Sequence, residues 1–219
     1  HDAAFIGTRS NRYVSEFETE WAQFIGVNHV IGCANGTDAI EIALEAYGIG
    51  PGDEVIVPAM SWVSTAGAVA RVGAKPVFVD VLPDVHTMDP GGISSVISER
   101  TRAIMPVHLY GHPAAMSTIL DIAERHGLIV IEDAAQGHGA VFGGRQLGSF
   151  GTVAVLSFGR GKGVTGGAGG ALVTANRSGS EIISSAREAL GPQRRGVRHL
   201  VGATAQWVLG SPWMYGIPA

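Results

Sequence analysis

The hydrophobic and polar positions of this chain repeat with two periods, one typical of helices and one typical of strands. Near the start, apolar side chains recur every three or four residues at Val14, Phe17, Trp21 and Phe24, which predicts an amphipathic helix. Further helices are predicted over 38–47, 61–72, 116–126 and 182–190, with another apolar helix over 199–209. Gly127 is expected to be the C-cap of the helix over 116–126. Short apolar runs predict strands over 29–33, 54–58, 76–80, 102–108, 128–132, 152–158 and 170–174.

The predicted helices and strands alternate, and most of the strands are apolar on both faces. This pattern is typical of a three-layer α/β/α fold, in which helices cover both sides of a mostly parallel sheet. Ligands of such sheets bind beyond the carboxyl ends of the strands. The segments that follow the strands are therefore the candidates for chemistry: 36–37, 60–62, 108, 133 and 157–162.

Composition excludes several classes of protein. The 219 residues include 15 Lys or Arg and 19 Asp or Glu, and the formal charge of −4 argues against a nucleic-acid partner. Hydrophobic residues make up 46% of the chain and charged residues 16%, which indicates a large core. Cys33 is the single cysteine, so no internal disulfide can form, and we expect a cytoplasmic protein. No apolar run reaches about 18 residues, so no membrane-spanning helix is expected.

The segment 33–38 combines the end of a strand, a tight turn at Gly36 and the start of a helix. Backbone N–H groups and the positive end of the helix dipole at such a point suit a phosphate group. The same segment also fits an ordinary Asn-Gly turn, with Asp38 as the N-cap of the helix.

Asp133 stands at the carboxyl end of a buried strand, in the sequence IEDAAQ. A carboxylate loses hydration there unless a cation or hydrogen-bond donors meet it. One interpretation is the N-cap of a following helix. The other is a partner for a protonated ring nitrogen, which a pyridoxal phosphate cofactor requires because the protonated ring acts as its electron sink.

Lys162 lies in a glycine-rich segment after the strand 152–158 and has no acidic neighbour. A lysine in such surroundings is a candidate for Schiff-base formation, because desolvation and nearby cations lower its pKa. The alternative is a surface lysine. A Walker phosphate loop is excluded, since Leu156 and Gly163 stand where a Gly and a Ser or Thr are required. Trp62, directly after another strand, either stacks on a flat ring or packs in the core.

Three histidines are candidate ligands or pocket residues. His108 and His112 are four residues apart, but the segment lacks the Glu of HExxH and a third ligand, so no metal site is expected. His138 either lines the pocket near Asp133 or is a structural histidine with satisfied nitrogens.

These pieces occur together in an order that resembles one known family. The segments GTDAIEIAL, GPGDEVIVPAMSWVSTAGAV, GAKPVFVDV, PVHLYGHPA, HGLIVIEDAAQGHGA, GGRQLGSFGTVAVLSFGRGK and GGALVT resemble the DegT/DnrJ/EryC1/StrS family, the sugar aminotransferases. The resemblance runs from about Phe5 to Thr174. It implies the large domain of a fold-type I enzyme that uses pyridoxal 5'-phosphate.

The resemblance also implies roles for individual residues. Lys162 would form the Schiff base with the cofactor and then move the proton of the reacting carbon. Asp133 would pair with the ring nitrogen, Gln136 would lie near the ring hydroxyl, and Trp62 would stack on the ring. The phosphate would be held by the backbone amides of Gly36 and Thr37 and by the Ser157 hydroxyl.

The implied reaction moves an amino group in two half-reactions. An amino-acid donor, commonly glutamate in this family, gives its amine to the cofactor, and a keto-sugar, usually linked to a nucleotide, then takes it. Two departures leave the substrate open, because Gly163 replaces a frequent Asn and Ala168 a frequent acidic residue. The alternatives are a sugar dehydratase, a cyclitol aminotransferase and a non-catalytic regulatory relative. Lys162 argues against the dehydratases, which carry His in its place.

The family pattern also predicts a division of the chain. Residues 1–176 are expected to form the cofactor-binding domain, and 177–219 a helical connection toward a smaller carboxy-terminal domain outside this sequence. The sequence does not begin with Met, and we expect it to be part of a longer chain. Family active sites form between two subunits, so a homodimer is implied. The basic residues Arg194, Arg195 and Arg198 are interpreted as a solvated loop.

Overall fold

A seven-stranded sheet organises the part of the chain that the computed structural model describes, which is residues 12–175 and 177–190. Six strands follow the predicted segments and the seventh covers part of one: β1 (His29–Cys33), β2 (Glu54–Pro58), β3 (Lys75–Val79), β4 (Thr101–Ile104), β5 (Ile129–Asp133), β8 (Val153–Ser157) and β9 (Gly170–Thr174). A small hairpin, β6 (Val141–Phe142) and β7 (Arg145–Gln146), lies outside this sheet and was not predicted.

The described helices are α1 (Arg12–Ile25), α2 (Gly36–Ala46), α3 (Val63–Arg71), α4 (Pro90–Val96), α5 (Met116–His126) and α6 (Arg177–Leu190). Four of the predicted helices are confirmed as α1, α2, α3 and α5, and the segment 182–190 lies within α6. The predicted helix over 199–209 and the basic loop at 194–198 lie outside the described residues, and the division at residue 176 stays a prediction. No described helix has both the length and the apolar content needed to cross a membrane.

The strand order is β1-β9-β8-β5-β4-β2-β3. Strands β8, β5, β4, β2 and β3 pair in parallel, while β9 runs antiparallel to both of its neighbours, β1 and β8. The prediction of a mostly parallel sheet is therefore confirmed. The carboxyl ends of six strands and the beginning of β9 meet at one edge of the sheet.

Successive residues of the strands point into different layers of the core. Ile131 packs in a cluster with residues of α2 and α3, whereas Val130 packs with residues of α4 and α5. On the first strand, Ile31 joins the α2 side, and Val30 joins a third cluster with Ala22 and Ile25 of α1. Both faces of the sheet are thus covered, which confirms the three-layer α/β/α fold.

Local sequence explains where several elements begin and end. Asn35 is the N-cap of α2, because its side chain accepts a hydrogen bond of 2.9 Å from the Asp38 N–H. The interpretation of Asp38 as the cap is wrong, since Asp38 lies inside the first turn. Gly127 ends α5 at a φ of +63°, a left-handed conformation that favours glycine, as predicted for this C-cap.

The predicted strand over 102–108 is shorter in the structure. Ladder pairing ends at Ile104, and Pro106 follows, which has no N–H to donate to a neighbouring strand. The chain stays buried after this point, and Val107 makes an isolated bridge to Asp133 at the end of β5. His108 therefore reaches the same edge of the sheet as the ends of the other strands.

Candidate active site

The structure brings the predicted phosphate turn and the end of β8 into direct contact. A Cβ atom placed on Gly36 would lie 2.7 Å from the Ser157 Cβ and 3.1 Å from its Oγ. One placed on Gly170 would lie 2.3 Å from the carbonyl carbon of Asn35, so the start of β9 packs against the same turn. Only glycine fits at these two positions. The hydroxyl of Thr37, next in the turn, donates to the Ser64 Oγ at 2.9 Å.

Asp133 is the last residue of β5, and its side chain is buried. Its Oδ1 accepts from the Ala135 N–H at 3.1 Å, and its Oδ2 accepts from the Thr65 hydroxyl at 3.3 Å. Burial raises the pKa of Asp133, and these hydrogen bonds together with the positive charge of Lys162 oppose that effect only in part. No helix begins at Ala134, so the interpretation of Asp133 as an N-cap is wrong.

Lys162 lies in the connection from β8 to β9, which both starts and ends at the carboxyl edge of the sheet. The neck of this connection is closed by hydrogen bonds from Phe158 N–H to the Gly169 oxygen and from Gly166 N–H to the Phe158 oxygen, at 2.9 and 3.0 Å. Within it, Lys162 N–H donates to the Gly159 oxygen at 3.3 Å. The side chain is half-buried, and its charge acts on the carboxyl of Asp133.

Trp62 precedes α3 and leaves 68% of its surface exposed. The alternative interpretation as a core tryptophan is therefore wrong. Its carbonyl oxygen accepts a 3.0 Å hydrogen bond from the Thr65 N–H, so the first turn of α3 links the indole to the residue that contacts Asp133. An exposed aromatic face of this kind is suited to stacking on a flat ring.

Gln136 is held by the loop that follows His108. Its Oε1 accepts a 2.6 Å hydrogen bond from the backbone N–H of Tyr110. Because an N–H can only donate, the oxygen of the amide faces Tyr110 and its NH₂ group points elsewhere. Tyr110 adopts a φ of +56°, in the left-handed region that a tyrosine rarely occupies. Backbone strain of this kind clusters at functional sites.

Glu132, which precedes Asp133 on β5, forms a fully buried pair with His108. This pair was not predicted from the sequence. The Glu132 Oε1 lies 2.9 Å from the His108 Nε2, and both side chains are 0% exposed. The His108 Nδ1 accepts from the Ala114 N–H at 3.0 Å, so the ring proton sits on Nε2 and points to Glu132. Both ring nitrogens of His108 are thus engaged in hydrogen bonds, and no group of three potential metal ligands occurs among residues 12–175 and 177–190.

The Glu132 carboxylate also receives three backbone N–H groups, from Gly148, Phe150 and Gly151, at 2.6 to 2.8 Å. Burial raises the pKa of Glu132, but the hydrogen bonds from His108 and from the backbone outweigh burial and hold this pKa below its usual range. The sequence does carry one indication of this cluster. Glu132 is a charged residue within the apolar run IVIED, and a carboxylate buried there requires several hydrogen-bond donors.

His138 packs edge-on against Trp21 and beside Phe158, with ring centroids 5.9 and 5.3 Å apart. Neither of its ring nitrogens has a hydrogen-bond partner among the described residues, so the interpretation as a satisfied structural histidine is wrong. Burial lowers the pKa of His138, and the charge of Lys162 lowers it further. A Cβ atom placed on Gly163, the residue after Lys162, would lie 3.9 Å from the His138 Cβ, so His138 lies beside the segment that carries Lys162.

The model of the DegT/DnrJ/EryC1/StrS aminotransferase family matches residues 6–205. The chain belongs to this family. Over 146 residues it is 53% identical to a pleiotropic regulatory protein of Geobacillus stearothermophilus, covering 67% of this chain and 39% of that protein. It is 50% identical over 176 residues to the UDP-N-acetyl-3-dehydro-alpha-D-glucosamine 3-aminotransferase of Acidithiobacillus ferrooxidans, covering 80% and 47% of the two chains.

Among solved structures, S. venezuelae DesV in complex with a ketimine intermediate superposes on this chain with a TM-score of 0.78. The two chains are 43% identical, and the match covers 84% of this chain and 50% of DesV. This likeness confirms the expected fold of a family aminotransferase. The chain spans half or less of the length of each of these three relatives.

Proposed function

We propose that this chain is the cofactor-binding part of a pyridoxal-phosphate aminotransferase that transfers an amino group from an amino acid to a nucleotide-linked keto-sugar. The observation that carries the proposal is the placement of Asp133 and Lys162. Asp133 is a buried carboxylate at the end of β5. The charge of Lys162, in the glycine-rich connection from β8 to β9, acts on this carboxylate. The Acidithiobacillus relative, named for an amino transfer to a UDP-linked 3-dehydro sugar, supports the substrate class.

The side chains present fit the cofactor. The structure offers a buried acid for a ring nitrogen, an exposed indole for a ring face, and an amide NH₂ group for a ring hydroxyl. The first turn of α2 supplies backbone N–H groups that have no acceptor within the helix, next to the hydroxyl of Ser157. Each moiety of pyridoxal phosphate thus has a residue of matching chemistry: Asp133, Trp62, Gln136, Gly36, Thr37 and Ser157.

Bound pyridoxal phosphate supplies an aldehyde that takes up an amine and a protonated ring that withdraws electrons. In the proposed mechanism Lys162 is the point of covalent attachment, and its Nζ then carries a proton to and from the substrate carbon. Asp133 holds the proton on the ring nitrogen. Burial favours the neutral form of this carboxyl, whereas the hydrogen bond from the Ala135 N–H, the charge of Lys162 and the hydroxyl of Thr65 favour the ionised form that the mechanism requires.

The decisive test is the attachment of the cofactor. Purified protein incubated with pyridoxal phosphate is expected to gain a visible absorption band that borohydride bleaches, and mass spectrometry of the reduced protein is expected to locate the adduct on Lys162. Lys162→Ala is expected to abolish both signals. Lys75→Ala is the matched control, because Lys75 is an exposed lysine that pairs with Glu54 at the other end of the sheet. An adduct on any other lysine contradicts the proposal.

The two half-reactions are then separable. Adding glutamate to the loaded protein is expected to shift the band, and keto-sugar nucleotides screened afterwards are expected to restore it. The proposed assembly is a cytoplasmic homodimer, which size-exclusion chromatography with light scattering checks.

A regulatory role is the second candidate, favoured by the 53% identity to a pleiotropic regulatory protein. The absorption experiment discriminates between the two. A protein that binds the cofactor on Lys162 but shows no spectral change with any amino donor or keto-sugar would favour the regulatory role.

A further inference from the structure

The residue that contacts Asp133 from outside the predicted cofactor site is Thr65, on the first turn of α3. Its side chain is buried, and its hydroxyl lies 3.3 Å from the Asp133 Oδ2 and 2.8 Å from the Ser61 Oγ. Asp133 is the only carboxylate in this chain of contacts. Thr65 thus stands between a half-buried serine and the buried acid.

The direction of the hydrogen bonds follows from the number of protons. An ionised carboxylate can only accept, so the single hydroxyl proton of Thr65 points to Asp133. The remaining capacity of the Thr65 oxygen is to accept, and Ser61 therefore donates to Thr65. The result is an ordered relay, Ser61 to Thr65 to Asp133, in which each hydroxyl strengthens the next hydrogen bond.

Local structure fixes this relay in place. Ser61 and Thr65 are four residues apart across the start of α3, and the Thr65 N–H is bonded to the Trp62 oxygen at 3.0 Å. One helical turn therefore holds both the exposed indole and the donor to the acid. Asp133 has one further donor, the Ala135 N–H, on its other oxygen.

We propose that Thr65, supported by Ser61, is a positioning residue that orients the Asp133 carboxylate and stabilises its ionised form for the ring nitrogen of the cofactor. This inference rests on the proposed function. It assigns to the α3 turn a role in setting the proton affinity of the site, in addition to presenting Trp62.

The test measures the affinity of the protein for pyridoxal phosphate as a function of pH. Removing a donor to the ionised form raises the proton affinity of a carboxylate. Thr65→Val is therefore expected to weaken cofactor binding about tenfold at neutral pH. The acid limb of the profile is the low-pH range in which affinity for the cofactor falls as Asp133 becomes protonated. In Thr65→Val this limb is expected to lie about half to one pH unit higher than in wild type.

Three further variants make the result specific. Thr65→Ser restores the hydroxyl and is expected to bind within about twofold of wild type, since one donor is again present. Ser61→Ala removes only the outer donor and is expected to move the acid limb in the same direction by a smaller amount. Thr174→Val is the control, because Thr174 is a buried threonine whose hydroxyl faces the Thr152 oxygen at the opposite end of β9.

The outcomes separate the inference from the proposed function. If Thr65→Val keeps the affinity and the acid limb of wild type, or if Thr65→Ser is as impaired as Thr65→Val, the hydroxyl has no positioning role. If Thr65→Val does not fold, Ser61→Ala decides, and an unchanged acid limb there overturns the inference. If the wild-type protein forms no adduct on Lys162, the proposed function itself is wrong.

Discussion

Gly36 and Ser157 meet so closely that a methyl group on the glycine would stand 2.7 Å from the Cβ of the serine. The contact joins the turn after β1 to the end of β8, two strands that are separated in the sheet by β9. The backbone of the predicted phosphate-binding turn is thereby held against the Ser157 hydroxyl, which is also predicted to contact the phosphate. Glycine at position 36 is therefore a structural requirement.

Gly36→Ala is expected to lower the free energy of unfolding by about 1–3 kcal/mol, because the added methyl overpacks a closed contact. Gly36→Ala combined with Ser157→Gly is expected to recover most of this loss, since the second change removes the Cβ that the methyl meets. Urea denaturation of the single and double variants measures the coupling.

Gly67→Ala is the matched control for that measurement. Gly67 lies within α3, and a Cβ there would meet nothing within 4 Å. The substitution is expected to stabilise the protein by about 0.5–1 kcal/mol, which is the usual gain of Ala over Gly in a helix. Additive effects of Gly36→Ala and Ser157→Gly would contradict the assigned contact.

Asp133→Asn, loaded with a saturating concentration of pyridoxal phosphate, is expected to keep the fold and the attachment to Lys162 but to take up amine from glutamate about 10- to 100-fold more slowly. The amide has nearly the shape of the carboxylate but cannot hold a proton on the ring nitrogen, and hydrogen bonds to charged groups account for a loss of this size. Stopped-flow absorbance measures the rate.

The control for this substitution is Asp89→Asn. Asp89 is the N-cap of α4, where its Oδ1 accepts from the Gly91 N–H, and it has no place in the site. The rate of amine uptake is expected to stay at the wild-type value. Equal rates for wild type and Asp133→Asn would remove Asp133 from the proposed mechanism.

Glu132→Gln is expected to destabilise the protein strongly. The carboxylate accepts from Gly148, Phe150, Gly151 and His108, so an NH₂ group on either side faces a buried donor. Each donor left unpaired costs about 1–3 kcal/mol. Glu124→Gln, at an exposed position on α5, is the control. Urea denaturation of both variants measures the difference in stability, and equal stability would contradict this account.

Lowering the pH is expected to lower the free energy of unfolding through the protonation of Glu54. This residue lies at the start of β2, at the edge of the sheet opposite the candidate site. Hydrogen bonds from Ser98, Arg100 and Lys75 lower the pKa of Glu54 from 4.5 to about 2. A carboxyl with a lowered pKa in the folded protein contributes its full stability above the unfolded value and loses it as the pH falls toward the folded one.

The measurement is the difference in unfolding free energy between wild type and Glu54→Gln as a function of pH. This difference is expected to shrink from about pH 5 to about pH 2. Glu20→Gln, at an exposed position of α1, provides the control and is expected to show no such trend. A constant difference across this range would show that the ion pairs of Glu54 do not act on folding.

Most elements of the fold were predictable because their patterns are local. The bounds of β1 and β2 agree with the predicted runs at 29–33 and 54–58, and Gly127 ends α5 as expected from its freedom to adopt a left-handed φ. The edge of the sheet that carries the site followed from the rule for parallel strands. These features depend on residues that are near each other in the sequence.

The remaining features depend on residues that are far apart. Nothing in the run 170–174 indicates that β9 turns back between β1 and β8, since buried strands of either direction have the same apolar pattern. The pairing of Glu132 with His108 and the contact of Thr65 with Asp133 span 24 and 68 positions. Sequence patterns indicate that a buried carboxylate needs donors, but they do not indicate which distant residues provide them.

The antiparallel course of β9 also has a consequence for how this scaffold can diverge. Because β9 returns beside β8, the segment that carries Lys162 leaves the sheet and rejoins it at one edge. Mutations or length changes in such a segment leave every strand where it is, whereas Asp133 is built into a strand between two neighbours. During evolution the proposed nucleophile, Lys162, can therefore be exchanged or lost while the architecture persists, so that enzymes and inactive descendants are able to share one framework.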